Sequence, residues 1–120
     1  MMKSHKLFGI VLLLLFANAH SQEKLSADPA ERGRKVTEWM KTNLHLSDEQ
    51  VPKVEAINYK CAQKNVDLEN SKLWKNKRQK QLTSNEQYRD AELKKIFTPD
   101  QFSTYESRKK EVLPKMMEMI

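Results

Sequence analysis

The sequence predicts an all-α protein of about four helices, and three observations lead to this prediction. Helix-start signals recur along the chain, apolar residues follow them at three- and four-residue steps, and Gly33 is the one glycine beyond the N-terminal segment. No stretch alternates apolar and polar residues as a half-buried strand does. The expected helices span residues 28–44, 47–80, 84–96 and 98–113.

Each expected helix begins with a residue that can cap it. The four starts are Asp28-Pro-Ala-Glu31, Ser47-Asp-Glu-Gln50, Thr83-Ser-Asn-Glu86 and Thr98-Pro-Asp-Gln101. The first side chain of each can accept a hydrogen bond from a backbone N–H of the first turn, and the fourth can reach back to the N–H of the cap. The third start is the weakest because its register is ambiguous.

The apolar residues that follow the starts lie on one face of each helix. In chain order they are Val36, Trp39, Met40, Leu44, Val51, Val54, Ile57, Cys61, Leu68, Tyr88, Ala91, Leu93, Ile96, Phe102, Tyr105, Val112 and Leu113. The second helix, continued to Lys80, would be a long central helix of about 50 Å. Because Pro52 falls near its beginning, we expect a bent first turn or a restart near this proline.

The N-terminus has the pattern of a cleaved signal peptide. After two lysines, the stretch from Leu7 to Ala17 runs for 11 residues without a charge, and the Ala-Asn-Ala that ends it fits a signal peptidase. An uncleaved membrane anchor is the alternative, but a bilayer crossing needs about 20 apolar residues. We expect a signal peptide of residues 1–19 or 1–21, export to the periplasm, and one helical domain over residues 22–120.

The mature chain has little apolar material for a core. Residues 20–120 contain 18 Leu, Ile, Val and Phe side chains, and the net charge falls from +6 to +4 without the lysines of the signal peptide. So few apolar residues predict a thin, elongated helical layer, whose core a second copy of the chain would complete. The modest charge and the expected export argue against a nucleic-acid partner.

Two helix starts fit one pattern, L-T-x-x-Q. The matching residues are Leu46, Ser47 and Gln50 in the first copy and Phe97, Thr98 and Gln101 in the second. The hydroxyl residues of the two copies lie 51 positions apart. With its export signal and helical pattern, the chain resembles the Spy/CpxP-like periplasmic proteins, the LTxxQ-motif family, over about residues 30–113. Ser47 replaces threonine and Phe97 replaces leucine, and both replacements keep the capping and packing roles.

The resemblance implies a fold and a set of activities. Proteins of this family form antiparallel homodimers shaped like a shallow cradle. Some are ATP-independent chaperones that bind partly unfolded envelope proteins, and others damp an envelope-stress sensor kinase or bind metal. We therefore expect a chaperone-like stress protein of the periplasm. A regulator that docks on the periplasmic domain of a sensor kinase and a metal-binding stress protein are the alternatives.

A basic segment is the expected client surface. It consists of Lys72, Leu73, Trp74, Lys75, Lys77, Arg78 and Lys80, five cations within nine residues and no acid. The charges would attract acidic segments of unfolded chains, and the tryptophan and the aliphatic stems would give adaptable contact. The alternative is a solvated helix face with one packed tryptophan. A second basic set, on the last two helices, comprises Lys94, Lys95, Arg108, Lys109 and Lys110.

Neither a metal site nor an enzyme is indicated. Cys61, the single cysteine, lies on an apolar stripe, so we expect a buried thiol, with a disulfide across a dimer as the alternative. His45 and the methionine-rich tail (residues 116–119) lack further ligands at metal-binding spacing, so no metal and no cofactor are expected. The chain has no glycine-rich phosphate loop, nucleophile elbow or zinc helix motif, which argues against catalysis.

Overall fold

The computed structural model describes residues 27–111, which form four α-helices and no strand. The helices are α1 (Pro29–Leu44), α2 (Gln50–Glu69), α3 (Lys75–Ile96) and α4 (Pro99–Glu111). The predicted all-α class with about four helices is therefore confirmed. The signal peptide, the methionine-rich tail and the expected final turn of the last helix lie outside the described residues.

Helix α1 has the capping contacts that its sequence predicts. The carboxylate of Asp28 accepts a hydrogen bond from the Ala30 N–H at 3.0 Å, and a proline occupies the first helical position. At the other end His45 adopts a left-handed conformation with φ of 53°, and the N–H groups of His45 and Leu46 both donate to the Lys41 carbonyl. The Leu46 bond is the 6→1 bond typical of helix C-termini, and with the left-handed residue it ends α1 after Leu44.

The prediction of a single long helix over residues 47–80 is wrong. Helix α2 ends at Glu69, and the chain reverses through residues 70–74 before α3 begins. At this point the hydroxyl and the N–H of Ser71 both donate to the Leu68 carbonyl, at 2.6 and 3.1 Å. Asparagine and serine side chains compete in this way with the backbone bonds that would continue a helix, so the Asn-Ser pair after Glu69 favours a break.

Packing favours the same reversal. Asn85, Arg89 and Leu93 of α3 are buried, and the Asn85 amide donates to the side chain of Asn65 in α2 at 3.2 Å. A straight continuation of α2 would carry these residues away from the rest of the molecule. Helices in proteins are stabilised mainly by the surface that they bury. The surface that α3 buries after the reversal therefore offsets the backbone hydrogen bonds that are lost at residues 70–74.

The helix expected over residues 84–96 begins earlier than its sequence signal, so the expected start is also wrong. Thr83 lies inside α3, and its hydroxyl donates to the Gln79 carbonyl one turn earlier, at 3.0 Å. A threonine inside a helix uses its hydroxyl in this way and does not cap the helix. The end of α3 at Ile96 agrees with the expectation.

Pro52 lies in the first turn of α2. The helix begins at Gln50, and the N–H groups of Gln50 and Val51 donate to the Ser47 carbonyl at 3.0 and 3.2 Å. The bond from Val51 to Ser47 is already an i→i−4 helical bond, and the proline nitrogen, which carries no hydrogen, cannot donate the next such bond to the Asp48 carbonyl. The regular helix begins only two residues before the proline.

Helices α1 and α2 approach most closely at Gly33. A Cβ atom added there would lie 2.9 Å from the backbone nitrogen of Tyr59 and 3.0 Å from its Cα, so a side chain would force the two helices apart. Beside this contact the Thr37 hydroxyl donates to the Gly33 carbonyl at 2.8 Å and accepts from the Asn58 amide at 3.0 Å.

The apolar core draws on all four helices. Its buried members are Val36, Met40, Leu44, Leu46, Val54, Cys61, Ala62, Leu93, Phe97 and Tyr105. These are largely the residues of the expected stripes, although Ala91 is exposed and Asn58 and Asn65 occupy buried stripe positions in α2. Residues 72–84 are exposed throughout, so the first half of α3 contributes nothing to this core.

Candidate functional site

The two L-T-x-x-Q copies form matching capping boxes. In the first, the Ser47 hydroxyl accepts from the Gln50 N–H at 3.2 Å, and the Gln50 side-chain oxygen accepts from the Ser47 N–H at 2.9 Å. In the second, Thr98 and Gln101 make the same two contacts at 3.2 and 2.9 Å. Each copy therefore satisfies two N–H groups at a helix start.

The glutamines of the two boxes also bind each other. Nε2 of Gln50 donates to Oε1 of Gln101 at 2.7 Å, and Nε2 of Gln101 donates to Oε1 of Gln50 at 3.0 Å. Nε2 of Gln50 also donates to the Ile96 carbonyl at 3.0 Å, and Nε2 of Gln101 donates to the Leu44 carbonyl at 3.2 Å. We call this arrangement the glutamine pair. It joins the ends of α1 and α3 to the starts of α2 and α4.

The surroundings of the glutamine pair are consistent with a structural role, in which the pair holds four helix ends together. An open cleft beside it is lined by His45, Ser47, Glu49, Gln50, Lys53, Lys95, Ile96, Thr98 and Gln101. The side-chain amides are engaged with one another and with backbone groups, and a neutral amide neither exchanges protons nor attacks a substrate near neutral pH. Sequence reasoning found both boxes but not their contact, and the repeated motif was the one signal of it.

The expected client surface straddles the α2–α3 connector. Lys72, Leu73 and Trp74 lie in the connector, and the four later cations lie in the first turns of α3. Trp74 is 80% exposed, so the alternative in which this tryptophan packs into the core is wrong. Leu73 and Leu82 are also exposed. We call residues 72–80 the basic connector.

The cations of the basic connector have no acidic partner in the described part of the chain. The sequence holds no Asp or Glu from Asn70 to Asn85, and none of the five cations forms an ion pair with another of residues 27–111. The Arg78 guanidinium donates to the backbone carbonyls of Ser71 and Leu73, at 3.4 and 3.5 Å. The positive charge is therefore uncompensated within the described fold.

The second basic set differs in this respect. Lys95 pairs with Glu92 at 2.6 Å, Lys109 binds acids of α3 and α4, Lys94 lies over the ring of Phe102, and Arg108 donates to Asn43 at 3.1 Å. The charges of Lys94, Lys95, Arg108 and Lys109 thus have partners within the fold, and the side chain of Lys110 lies outside the described part. The basic connector is thus the better candidate for a surface that meets a partner.

The start of α3 departs from the sequence preferences of helix N-termini, which α1 and α4 follow. It has no side-chain cap and no acid in its first turn, and Trp74 holds the N-cap position with φ of −63° and ψ of 154°. Lys75, Lys77 and Arg78 instead place positive charge at the positive end of the helix dipole, which costs about 0.3–1 kcal/mol for each nearby surface charge. A helix start that departs from these preferences and gains no stabilising contact in return is typical of a functional surface.

Helix α3 extends past the end of α2. The contact between Asn65 and Asn85 sets their register, and from it α2 runs on to Glu69 while α3 reaches back to Lys75. At 1.5 Å per residue, the start of α3 overhangs the end of α2 by about 9 Å. The overhang explains why the side chains of residues 75–80 are all exposed.

An ion pair brings the start of α1 to the same end of the molecule. Arg32 donates to both carboxylate oxygens of Glu69, at 2.6 and 2.8 Å, and the arginine is 2% exposed. The hydrogen bonds from Arg32 lower the pKa of Glu69, and those to Glu69 raise the pKa of Arg32. The first turn of α1, the last turn of α2 and the basic connector therefore lie together.

A buried charged cluster holds α4 against α3. The Tyr105 hydroxyl donates to Asp90 at 2.6 Å and accepts from Nε of Arg89 at 2.7 Å, while Lys109 and Glu86 lie around the same groups. Burial and the contact with Asp90 raise the pKa of Tyr105. Burial alone would lower the pKa of Arg89, but the facing oxygens of Tyr105, Asp90 and Glu86 raise it. Sequence reasoning expected Tyr105 in the core but missed Arg89.

The Cys61 thiol is buried in the core of one chain. Its surroundings exclude water, and this desolvation raises the pKa of the thiol from its usual 9.0 to about 11. We expect folded protein at pH 8 to react with a thiol reagent at least about 100-fold more slowly than protein unfolded in urea, because the side chain is fully buried and its reactive thiolate form is disfavoured there. Absorbance of the released chromophore measures both rates.

The same shift predicts a loss of stability at alkaline pH. Because the folded pKa of Cys61 lies above the unfolded value, its contribution to stability is fully present below about pH 9 and is lost as the pH rises through about 11. Over this range the Cys61→Ala variant should lose less stability than the native protein. Equal reaction rates of folded and unfolded protein, or chains linked by a disulfide after mild oxidation, would support the alternative of an intermolecular disulfide.

Among residues 27–111, no three His, Cys, Asp or Glu side chains lie close enough together to hold a metal ion. His45 lies in the turn after α1. None of the helices in the same part of the chain combines the length and the apolar character that a bilayer crossing needs.

A family described as a domain of unknown function (DUF4890) matches residues 17–105. The chain belongs to this family. The match covers α1, α2, α3 and the first turns of α4, so it includes both capping boxes and the basic connector. No curated protein and no solved structure matches the chain. The description of the family states no activity, so the resemblance to the LTxxQ-motif proteins remains a prediction.

Proposed function

We propose that the protein is an ATP-independent, chaperone-like protein of the periplasm that binds partly unfolded envelope proteins through the basic connector. The observation that carries this proposal is the combination of an 80% exposed Trp74 with five cations that have no acidic partner among residues 27–111. An exposed aromatic ring and aliphatic lysine stems can contact many apolar sequences, and the charges speed encounter with acidic chains.

A homodimer is part of the proposal. The core of one chain is small, and the first half of α3 is left without a packing partner. A second copy that covered the exposed Leu82 would enlarge the apolar core and would place two basic connectors on one assembly. The mass of residues 22–120 in solution, measured by light scattering, tests this part, and a stable monomer at micromolar concentration would contradict it.

Suppression of aggregation tests the chaperone activity. Reduced α-lactalbumin, an acidic client, is mixed with residues 22–120 and its light scattering is followed. We expect suppression at a few-fold molar excess, and a variant with Lys75, Lys77, Arg78 and Lys80 replaced by Glu should bind the client at least tenfold more weakly. This variant should keep its helicity, because acids are favourable in the first turn of a helix.

A second variant controls for net charge. It replaces four exposed cations outside the basic connector by Glu, namely Arg34, Lys41, Lys53 and Lys94. Both variants change the net charge equally, and circular dichroism verifies that each is folded. Equal weakening by the two variants would show that net charge governs the activity and not the connector. Absence of suppression by the native chain on several acidic clients would refute the chaperone proposal.

A further inference from the structure

The end of the bundle that carries the basic connector has features that fit a lipid surface. The start of α1, the end of α2 and the overhanging start of α3 meet there, and the described chain enters the fold at this end, at residue 27. We propose that this end docks on an anionic phospholipid bilayer, with Leu73 and Trp74 in the interfacial layer and the cations against the phosphate groups. The proposal does not depend on client binding.

The arrangement of the charges supports end-on docking. At 100° per residue, Lys75, Lys77, Arg78 and Lys80 point in different directions around α3 and do not form a single stripe. A helix tip with cations on all sides can meet a plane of phosphate groups in any rotation about its axis. Basic residues close to an anionic bilayer are each attracted to its negative surface potential.

The apolar tip supports the same orientation. Leu73 and Trp74 immediately precede α3, so they lie at the outer end of the overhang, and the cations follow them along the helix axis. This order matches a bilayer, in which an apolar interior lies beneath anionic headgroups. Tryptophan in particular prefers the interface, where its ring contacts apolar chains and its N–H stays hydrated.

The unfavourable start of α3 has an explanation in this setting. Three cations sit at the positive end of the helix, without a capping side chain and without an acid in the first turn. A phosphate group at this end would neutralise the cations and would also face the backbone N–H groups of the first turn, of which the Lys77 N–H already donates to the Asn76 side chain. An acidic unfolded chain could neutralise the same charges, but it does not offer an anionic layer above an apolar one.

Binding to lipid vesicles tests the proposal. Residues 22–120 are used because the apolar stretch before them would insert into lipid by itself, and this chain contains every described residue. The variant Trp39→Phe leaves Trp74 as the sole tryptophan. We expect its emission to shift to shorter wavelength with vesicles of phosphatidylethanolamine and phosphatidylglycerol, and to stay unchanged with phosphatidylcholine vesicles.

Two double variants, each of which removes two positive charges, distinguish the effect of the basic connector from the effect of net charge. Lys77→Gln with Lys80→Gln should weaken binding to the anionic vesicles about 30-fold, whereas Lys41→Gln with Lys53→Gln, which removes the same charge from exposed sites elsewhere, should weaken it less than threefold. Trp74→Ala should also weaken binding, without changing the helicity. The fraction of protein that sediments with the vesicles at 50 mM salt gives the affinities.

Three results would overturn the proposal. The first is no binding of the native chain to anionic vesicles at low salt, and the second is equal weakening by the two double variants. The third is binding without a change in Trp74 emission, which would place the tryptophan outside the interface. Binding of reduced α-lactalbumin but not of vesicles would overturn lipid docking and leave the proposed client binding in place, so the two failures are distinguishable.

Discussion

Replacing Tyr105 by alanine should lower the free energy of unfolding by about 4 kcal/mol, the largest effect that we expect from a single substitution. The ring is fully buried, contacts the rings of Phe97 and Phe102 with centroids 5.7 and 5.8 Å away, and its hydroxyl links Arg89 to Asp90. Its removal would leave a cavity and would take away the hydroxyl oxygen that accepts a hydrogen bond from Nε of Arg89. Urea unfolding followed by circular dichroism at pH 7 measures the change.

The variant Tyr105→Phe separates the hydroxyl from the ring. It keeps the packing and removes the group that accepts from Arg89 and donates to Asp90, so we expect a loss of about 2 kcal/mol. A phenylalanine variant as stable as the native protein would show that Arg89 and Asp90 satisfy each other without the hydroxyl. An alanine variant that loses under 1 kcal/mol would contradict the packed position of the ring.

Substitution at the glutamine pair should have the second-largest effect. The Gln101→Ala variant removes the acceptor of the Thr98 N–H, the donor to the Leu44 carbonyl and both contacts with Gln50. Because partly buried groups would lose hydrogen-bond partners, we expect a loss of about 2 kcal/mol, and a similar loss for Gln50→Ala. Urea unfolding of each variant measures these losses.

A double-mutant cycle tests whether the two boxes are coupled. Because both single variants break the same two amide contacts, the double variant should lose about 1 kcal/mol less than the sum of the single losses. The control is Gln87→Ala, an exposed glutamine of α3 that should change stability by less than about 0.5 kcal/mol. Additive losses would show that each glutamine acts only within its own box.

The helix ends that depend on local contacts could be predicted from the sequence. Asp28, Ser47 and Thr98 cap helices through side chains within four residues of them, so a short stretch of sequence contains all the partners. The apolar stripes were predictable for the same reason, since periodicity is a property of the local sequence. Most of the core therefore agrees with the expectation.

Features that depend on the packing of distant segments were not predictable in the same way. The break after Glu69 replaces a continuous helix mainly because α3 gains burial against α2, and the Asn-Ser pair that favours it locally is a weaker signal than a proline or a glycine. The burial of Arg89 depends on Tyr105, which lies 16 residues away. The sequence of α2 did contain one indication of polar contacts between helices, because Asn58 and Asn65 fall on the same helical stripe as Val54 and Cys61.

The basic connector was found by composition, but its geometry was not. A run of cations without acids is visible in the sequence, whereas the overhang of α3 follows only from the register set by Asn65 and Asn85. The exposure of Trp74 also depends on the break after Glu69, because a tryptophan inside a continuous helix could have packed against a neighbour.

The position of the glutamine pair has a kinetic consequence. Gln50 and Gln101 are separated by 51 residues, and they can meet only after α2 and α3 have folded back against each other. Contacts of such long sequence separation form late, so they should be largely absent from the transition state for folding. Weakening these contacts should therefore speed unfolding and leave the folding rate nearly unchanged. The glutamine pair would thus set how long the native state persists before it unfolds.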